Sequence, residues 1–225
     1  MICNLAKLAA RVGIYSLGLF FLALGVAFSI NANLGISPVS SWPVTVHMAS
    51  GLSAGFTKTM FLILCLLVQI MILGKNFKAI ELTQLVFSFM FGFFLDTAIW
   101  IIGDFALPSY VGQLIMLFIS IFFISTGLAI YLEARLVALP AEGIVLAFMQ
   151  RYPHLTFQKI KIVKDCLLVM MSAATTLIFL GGLYGVREGT VLTALMVGRL
   201  TPIIRKTVER ILKPAALFEI SMKNQ

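Results

Sequence analysis

Long apolar runs alternate with short polar breaks along almost the whole chain. Six runs, at about 12–32, 57–74, 80–102, 111–132, 163–184 and 189–204, reach or approach the length a helix needs to cross ~30 Å of hydrocarbon. The last is the shortest and carries Arg199. Two further apolar stretches, about 38–50 and 140–150, are too short to cross. Each opens on a proline, Pro38 or Pro140, at a first helical position where the missing N–H leaves no bond unmade. Ser37 stands where an N-cap is expected. The pattern predicts an all-α integral membrane protein of six transmembrane helices plus two short re-entrant or interfacial helices. The N-terminal run, with Lys7, Arg11 and Ala27-Phe28-Ser29, has features of a signal peptide. Its length and its recurrence later in the chain make it the first spanning helix instead.

That recurrence is a duplication. "LGVAFSINANLGISPVS" (Leu24 to Ser40) aligns with "TGLAIYLEARLVALPAE" (Thr126 to Glu142) at a constant offset of 102 residues. Gly25/Gly127, Ala27/Ala129, Ala32/Ala134, Leu34/Leu136 and Pro38/Pro140 are identical. "QLVFSFMFGFFLD" (Gln84 to Asp96) aligns with "TVLTALMVGRLTP" (Thr190 to Pro202) at an offset of 106, with Met90/Met196 and Gly92/Gly198 identical. Two blocks in the same order, each with its proline-led short segment, are the mark of an internal repeat. The expected organisation is one domain over 1–225. Repeat 1 covers about 12–104, repeat 2 about 111–206, and a cytoplasmic tail 207–225.

Charge orients the helices. If both short segments enter and leave on one side, every Lys and Arg except Lys58, Arg187 and Arg199 faces the cytoplasm, with Lys58 and Arg187 outside and Arg199 in a helix. If they crossed, Lys75 and Lys78 would move outside, against the positive-inside rule. Three crossings per repeat then make the second copy inverted, an inverted 3+3 repeat with both termini cytoplasmic in a bacterial cytoplasmic membrane.

Composition agrees and narrows the function. Hydrophobic residues make up 60% and charged residues 12% of the 225, and mean hydropathy is +1.04, far from a soluble domain. The net charge of +8 sits beside apolar runs, so nucleic acid is not expected as a partner. Cys3, Cys65 and Cys166 form no metal or disulfide spacing, and no cofactor, metal or catalytic residue is expected.

Paired, proline-led short helices in two inverted halves point to a transporter's substrate site. Each N-terminus carries partial positive charge and unpaired N–H groups. Ser37, Ser40, Ser41 and Thr45 share one helical face, and Glu142 stands where the first half has Ser40. Gln84, Ser88, Gly92 and Asp96 form a stripe on the third spanning helix, matched by Thr190, Ala194, Gly198 and Pro202 on the sixth. Asp165, Ser172 and Thr176 form another on the fifth, with Lys161 placed to pair with Asp165 at i, i+4. Ionisable groups within spans are costly and usually functional or paired. Glu188 opens the sixth helix, where it complements the dipole. The substrate-binding candidates are Ser37, Ser40, Ser41, Asp96, Glu142, Asp165, Arg187, Glu188 and Thr190. GLSAG (Gly51 to Gly55) matches the G-x-S-x-G elbow of serine hydrolases. That motif needs a strand-to-helix turn, nothing here reads as a strand, and the chain is not expected to be an enzyme.

In order, "NLGISPVSSWPVTV", "FKAIELTQLVFSFMFGFFLD", "LPAEGIVLAF", "KIVKD" and "GVREGTVLTALMVG" resemble the YczE/YyaS/YitT type of bacterial integral membrane protein, over about residues 12–204. The resemblance implies a multi-span protein of the cytoplasmic membrane, an activity in transport, and for some members a link to production or export of secreted metabolites. It picks out Pro140, Glu142, Gly143, Lys161, Asp165, Arg187, Glu188, Gly189 and Thr190. In the first half it picks out Gly35, Ser37, Pro38, Ser41, Pro43 and Asp96. Trp42-Pro43-Val44-Thr45 departs from the family's pattern, where a large residue such as tyrosine follows the proline. The leading expectation is a small secondary transporter or exporter with a site at the repeat interface. Its partners are the lipid bilayer, a small-molecule substrate and a coupling proton or cation, with room for a homodimer. The alternative is a non-transporting scaffold or regulatory partner of a biosynthetic or signalling complex.

Overall fold

A computed structural model describes residues 2–182 and 184–212, with 2–6, 158 and 212 described by backbone alone. The described residues form eight α-helices and no strand: α1 (Ile2–Ala32), α2 (Pro38–Ser50), α3 (Ala54–Leu73), α4 (Gln84–Ile102), α5 (Tyr110–Glu133), α6 (Pro140–Arg151), α7 (Phe157–Leu180) and α8 (Glu188–Leu212). Two 3₁₀ turns, Gly74–Asn76 and Ala79–Thr83, join α3 to α4. The tail expected from 207 is helical as far as Leu212. The rest of it, with Lys213 and Lys223, lies outside the described residues, as does the side chain of Cys3.

Local chemistry sets the boundaries. Gly51 caps α2 in the left-handed conformation, and the Ser53 hydroxyl accepts the Phe56 N–H to start α3. GLSAG is therefore a tight helix–helix turn. The Ser109 hydroxyl likewise accepts from Gly112 N–H to start α5. The exits of α1 and α5 match in backbone conformation. Asn33 (φ 53°) and Arg135 (φ 51°) are the positive-φ residues other than glycine, and they lie 102 positions apart. α7 begins six residues before its apolar run, because Lys159, Lys161 and Lys164 already lie on its first turns.

Among the described residues, five helices are long and apolar enough to cross a membrane: Lys7–Ala32, Ala54–Asn76, Ala79–Ile102, Tyr110–Glu133 and Lys159–Leu180. α8 is as long, but Arg199, Arg205, Lys206, Glu209 and Arg210 keep it out of that set. Large apolar side chains such as Met71, Phe93, Trp100, Ile178 and Phe179 project from the surface. An apolar surface this extensive suits hydrocarbon rather than water. The protein is a multi-pass helical membrane protein.

The centre of the fold is the crossing of α1 and α5. Gly25 and Gly127 make it close. A Cβ on Gly25 would stand 2.6 Å from the Ile124 backbone nitrogen, and one on Gly127 would strike the Leu22 backbone. The Ser120 hydroxyl donates to the Gly25 carbonyl at 2.7 Å. α4 packs on α1 and α3, while α8 packs on α5. The short helices are crossed over: α2 lies on α7 and α3, and α6 on α3 and α7. Ser40, Ser41, Val44 and Thr45 of α2 are buried, so this face of α2 packs into the bundle.

Candidate functional site

A few polar and charged residues line a largely apolar cavity of about 490 Å³. Its apolar walls come from α1 and α5, through Leu22, Val26, Ile124 and Leu128. The N-terminal turns of α2 and α6 form one end, with Ser37, Ser40 and Glu142 on the wall. α3 supplies Lys58, α7 supplies Lys161, Lys164 and Asp165, and α8 supplies Ala194, Gly198, Thr201, Pro202 and Arg205. The small-residue stripe on α8 thus faces space. Nothing lies within 4 Å of where a Gly198 Cβ would be.

Lys58, which the charge count sets on the outer side, is 3% exposed in the first turn of α3. Its Nζ donates to the Val39 carbonyl at 3.2 Å and the Ser40 hydroxyl at 3.0 Å. Pro43 makes this possible. It has no N–H to offer the carbonyl four residues back, so Val39 O is free for the lysine. Lys164 repeats the arrangement in the other half, donating to Ala141 O at 3.0 Å. Lys58/Lys164 follow the 106 offset and Val39/Ala141 the 102 offset. That correspondence was the signal in the sequence that could have found Lys58.

The remaining charges are paired. Lys161 Nζ meets Asp165 Oδ2 at 2.8 Å, the expected i, i+4 pair, and Lys164 stands 3.6 Å from Oδ1. Arg205 Nε lies 3.1 Å from Glu133 Oε2 and Arg135 lies 3.3 Å from Oε1, with the Glu133 side chain only 2% exposed. Glu133 is not among the sequence candidates, although an acid ending an apolar run was a usable signal. Glu142 is the exception. It sits at the third position of α6, and its Oε2 is buried without a hydrogen-bond partner among the described residues. It feels the charge of Lys58.

Of the sequence candidates, Ser37, Ser40, Glu142 and Asp165 are brought together here. Ser37 occupies the N-cap position of α2 but makes no side-chain cap bond. Ser41 is buried behind the wall, its hydroxyl donating to Pro38 O at 2.8 Å. Asp96 lies elsewhere, closing the seam between α3 and α4. It accepts from the Ser53 hydroxyl at 2.8 Å and the Gly55 N–H at 2.7 Å, and so caps α3. Just below, a Cβ on Gly55 or Gly92 would strike the opposite helix. α7 and α8, which carry the segments aligned with α3 and α4 in the sequence, do not pack along their lengths among the described residues, and the cavity lies between them.

Arg187, Glu188 and Thr190 form a clasp outside the cavity. Ile36 N–H donates to Gly185 O at 3.0 Å and Gly189 N–H to Leu34 O at 2.8 Å. Arg187 Nη1 donates to Asn33 O at 2.9 Å, and its Nη2 pairs with Glu188 at 3.1 Å. Thr190 Oγ1 accepts the Arg187 N–H at 3.3 Å. Gly35, at φ 105°, lets the two loops approach this closely. Leu136 and Thr83 are the positions corresponding to Leu34 and Gly189. No backbone hydrogen bond joins Leu136–Ala138 to Ala79–Thr83 among the described residues.

Comparison with known proteins agrees with the motif resemblance. The family described as "Family of unknown function (DUF6198)" matches residues 9–206. The chain is similar to the Bacillus subtilis (strain 168) protein named "Uncharacterized protein YyaS", at 26% identity over 87% of this chain and 92% of that relative. No solved structure matches.

Proposed function

The chain belongs to the DUF6198 family of unknown function, and from that premise we propose that it is a small secondary transporter or exporter of the bacterial cytoplasmic membrane. It is built from two inverted three-crossing repeats, with its substrate site between them. α1, α3 and α4 form one copy and α5, α7 and α8 the other, with α2 and α6 as re-entrant helices. α8 is the sixth crossing, with Arg205, Lys206 and Arg210 gathered at its cytoplasmic end.

The carrying observation is an asymmetry between equivalent seams. Gly92 of α4 is packed against α3, while Gly198, its aligned partner in α8, faces open space. Two halves of one pattern, held in two arrangements, are what rocking of inverted repeats about a fixed site requires. The clasp supports the same state. The loops after α1 and before α8 are bonded together, and the corresponding loops of the opposite copies are not. The exposed ends of Lys161 and Arg205, 44% and 46% accessible, stand at the other end of the cavity. With the charge-derived topology, the molecule is closed outside and open to the cytoplasm.

Glu142 is the coupling carboxylate in this reading. Around it stand Lys58 and Cys65 of α3, Tyr15 of α1 and Tyr131 of α5, with Lys164 and Asp165 of α7 and Arg205 of α8 on the cavity wall. Its buried, unpartnered oxygen can take a proton or face a cation, and an acid that is only a cap would be bonded.

The test needs no substrate. A single cysteine replaces Val197 on the cavity wall, and Cys3, Cys65 and Cys166 are removed. It is labelled with impermeant maleimide from each face of sealed vesicles. Transport requires labelling from both faces, faster from the cytoplasmic one, with a face ratio that depends on pH in wild type and not in Glu142→Gln. Labelling from one face only, at every pH, leaves a non-transporting scaffold. A ratio whose pH dependence survives in Glu142→Gln moves coupling to another group.

A further inference from the structure

Most charges on the cavity wall are already committed. Lys161 is held by Asp165 and Arg205 by the buried Glu133. Three groups keep unused hydrogen-bonding capacity: Lys58, Lys164, whose ion pair with Asp165 is long at 3.6 Å, and Glu142. An ammonium has three N–H donors. Lys58 uses two, on Val39 O and Ser40 Oγ. Lys164 uses one, on Ala141 O, with Asp165 Oδ1 beyond hydrogen-bond length at 3.6 Å. The two lysines are close enough to repel one another, each beneath the N-terminal turn of a short helix. The opposite wall is aliphatic, through Leu22, Val26, Ile124 and Leu128.

We infer that the ligand of this cavity is an amphiphilic organic anion, its carboxylate or phosphate seated between Lys58 and Lys164 and its apolar body lying against α1 and α5. The transporter reading bears only on the later passage of that ligand across the membrane, since occupancy itself needs no movement. The donors that these two ammonium groups leave unfilled face one small volume, where one anion satisfies them together and a cation is repelled. Glu142 is a built-in competitor for the same lysines. Neutral, it leaves them to the ligand; ionised, it opposes the ligand's charge. A proton taken by Glu142 therefore favours anion binding, and its loss favours release.

Radiolabelled decanoate is the probe, applied to the purified full chain in phosphatidylcholine nanodiscs and read by scintillation proximity. The expected result is saturable binding that decyl phosphate displaces and that decanol and decyltrimethylammonium do not. Lys58→Gln and Lys164→Gln should each weaken it by roughly tenfold or more, the loss expected for a hydrogen bond to a charged group. Lys75→Gln, in the exposed loop after α3, should leave it unchanged. Phosphatidylglycerol added to the nanodiscs separates the sources: if it displaces decanoate, the anion is a lipid headgroup, and if only decyl phosphate does, it is a soluble amphiphile. Displacement by decyltrimethylammonium as effective as by decyl phosphate overturns the inference in the unmodified protein, whatever the variants do. So does wild-type affinity in both lysine variants. Anion binding in a protein labelled from one face only would sink the transporter and keep the site; two-sided labelling with a cation-preferring cavity would do the reverse.

Discussion

Gly35→Ala tests the clasp where it is tightest. The residue has φ 105°, and a Cβ there would stand 2.6 Å from Thr190 Oγ1 and 2.7 Å from the Arg187 backbone nitrogen. The positive φ alone costs an L-residue about 1–2 kcal/mol, a burden carried whether the clasp is shut or open. The clash is different, because separating the loops relieves it. Real Cβ atoms do not come this close, so the loop must shift away from Arg187 and Thr190. That strains the neighbouring bonds from Ile36 N–H to Gly185 O and from Gly189 N–H to Leu34 O. At about 1 kcal/mol for each bond, the clasped state loses about 2 kcal/mol relative to the unclasped one. The outward-facing population then rises roughly 30-fold. The assay is the outer-face labelling rate of the cysteine at 197. It should rise by about that factor in Gly35→Ala, with cytoplasmic-face labelling reduced. An unchanged outer rate in a variant that melts only a few degrees lower would refute the reasoning, since the glycine would then serve the loop's shape and not the closure.

The same geometry makes further demands. Gly92→Val forces a branched side chain into a closed seam and should lower stability by about 1–3 kcal/mol in a thermal melt. Gly198→Val meets empty space and should melt as wild type, yet block two-sided labelling if α8 must close on α7; normal labelling would show that this seam never shuts. Asp96→Ala removes two hydrogen bonds at the start of α3 and should cost about 1–2 kcal/mol, while leaving decanoate binding intact; lost binding in a folded variant would return Asp96 to the site. Glu188→Gln breaks an exposed pair with Arg187 and should leave the thermal melt close to that of the wild type. Reporter fusions should place the Lys75–Lys78 loop in the cytoplasm and the 103–110 loop outside. Finding 75–78 outside would make α2 a crossing.

Much of the architecture is legible in the chain itself, because a bilayer turns sequence into geometry by simple rules. A helix must be about 20 residues long to cross, so run length separates the long helices from α2 and α6. Proline at a first turn needs no N–H, so Pro38 and Pro140 mark two starts that the structure keeps. The stripe Ala194, Gly198 and Pro202 and the pair Lys161–Asp165 follow from helical periodicity, and they face the cavity as that periodicity implies. Tertiary structure alone decided the rest. Lys58, at the start of an apolar run, reads as an interfacial charge, and only the approach of α2, with a carbonyl that Pro43 leaves free, turns it inward. Asp96 has the same residue type and periodicity as a cavity acid, but its partners are the N–H and hydroxyl of a helix start, 41 and 43 residues earlier in the chain. Arg187 acts through a backbone carbonyl of the loop after α1 and Thr190 through the Arg187 N–H, contacts that no side-chain pattern records. Which seam is packed is not legible in the sequence, because Gly92 and Gly198 hold aligned positions with the same residue. Packing at Gly55 and Gly92, and its absence at Gly198, is what distinguishes them.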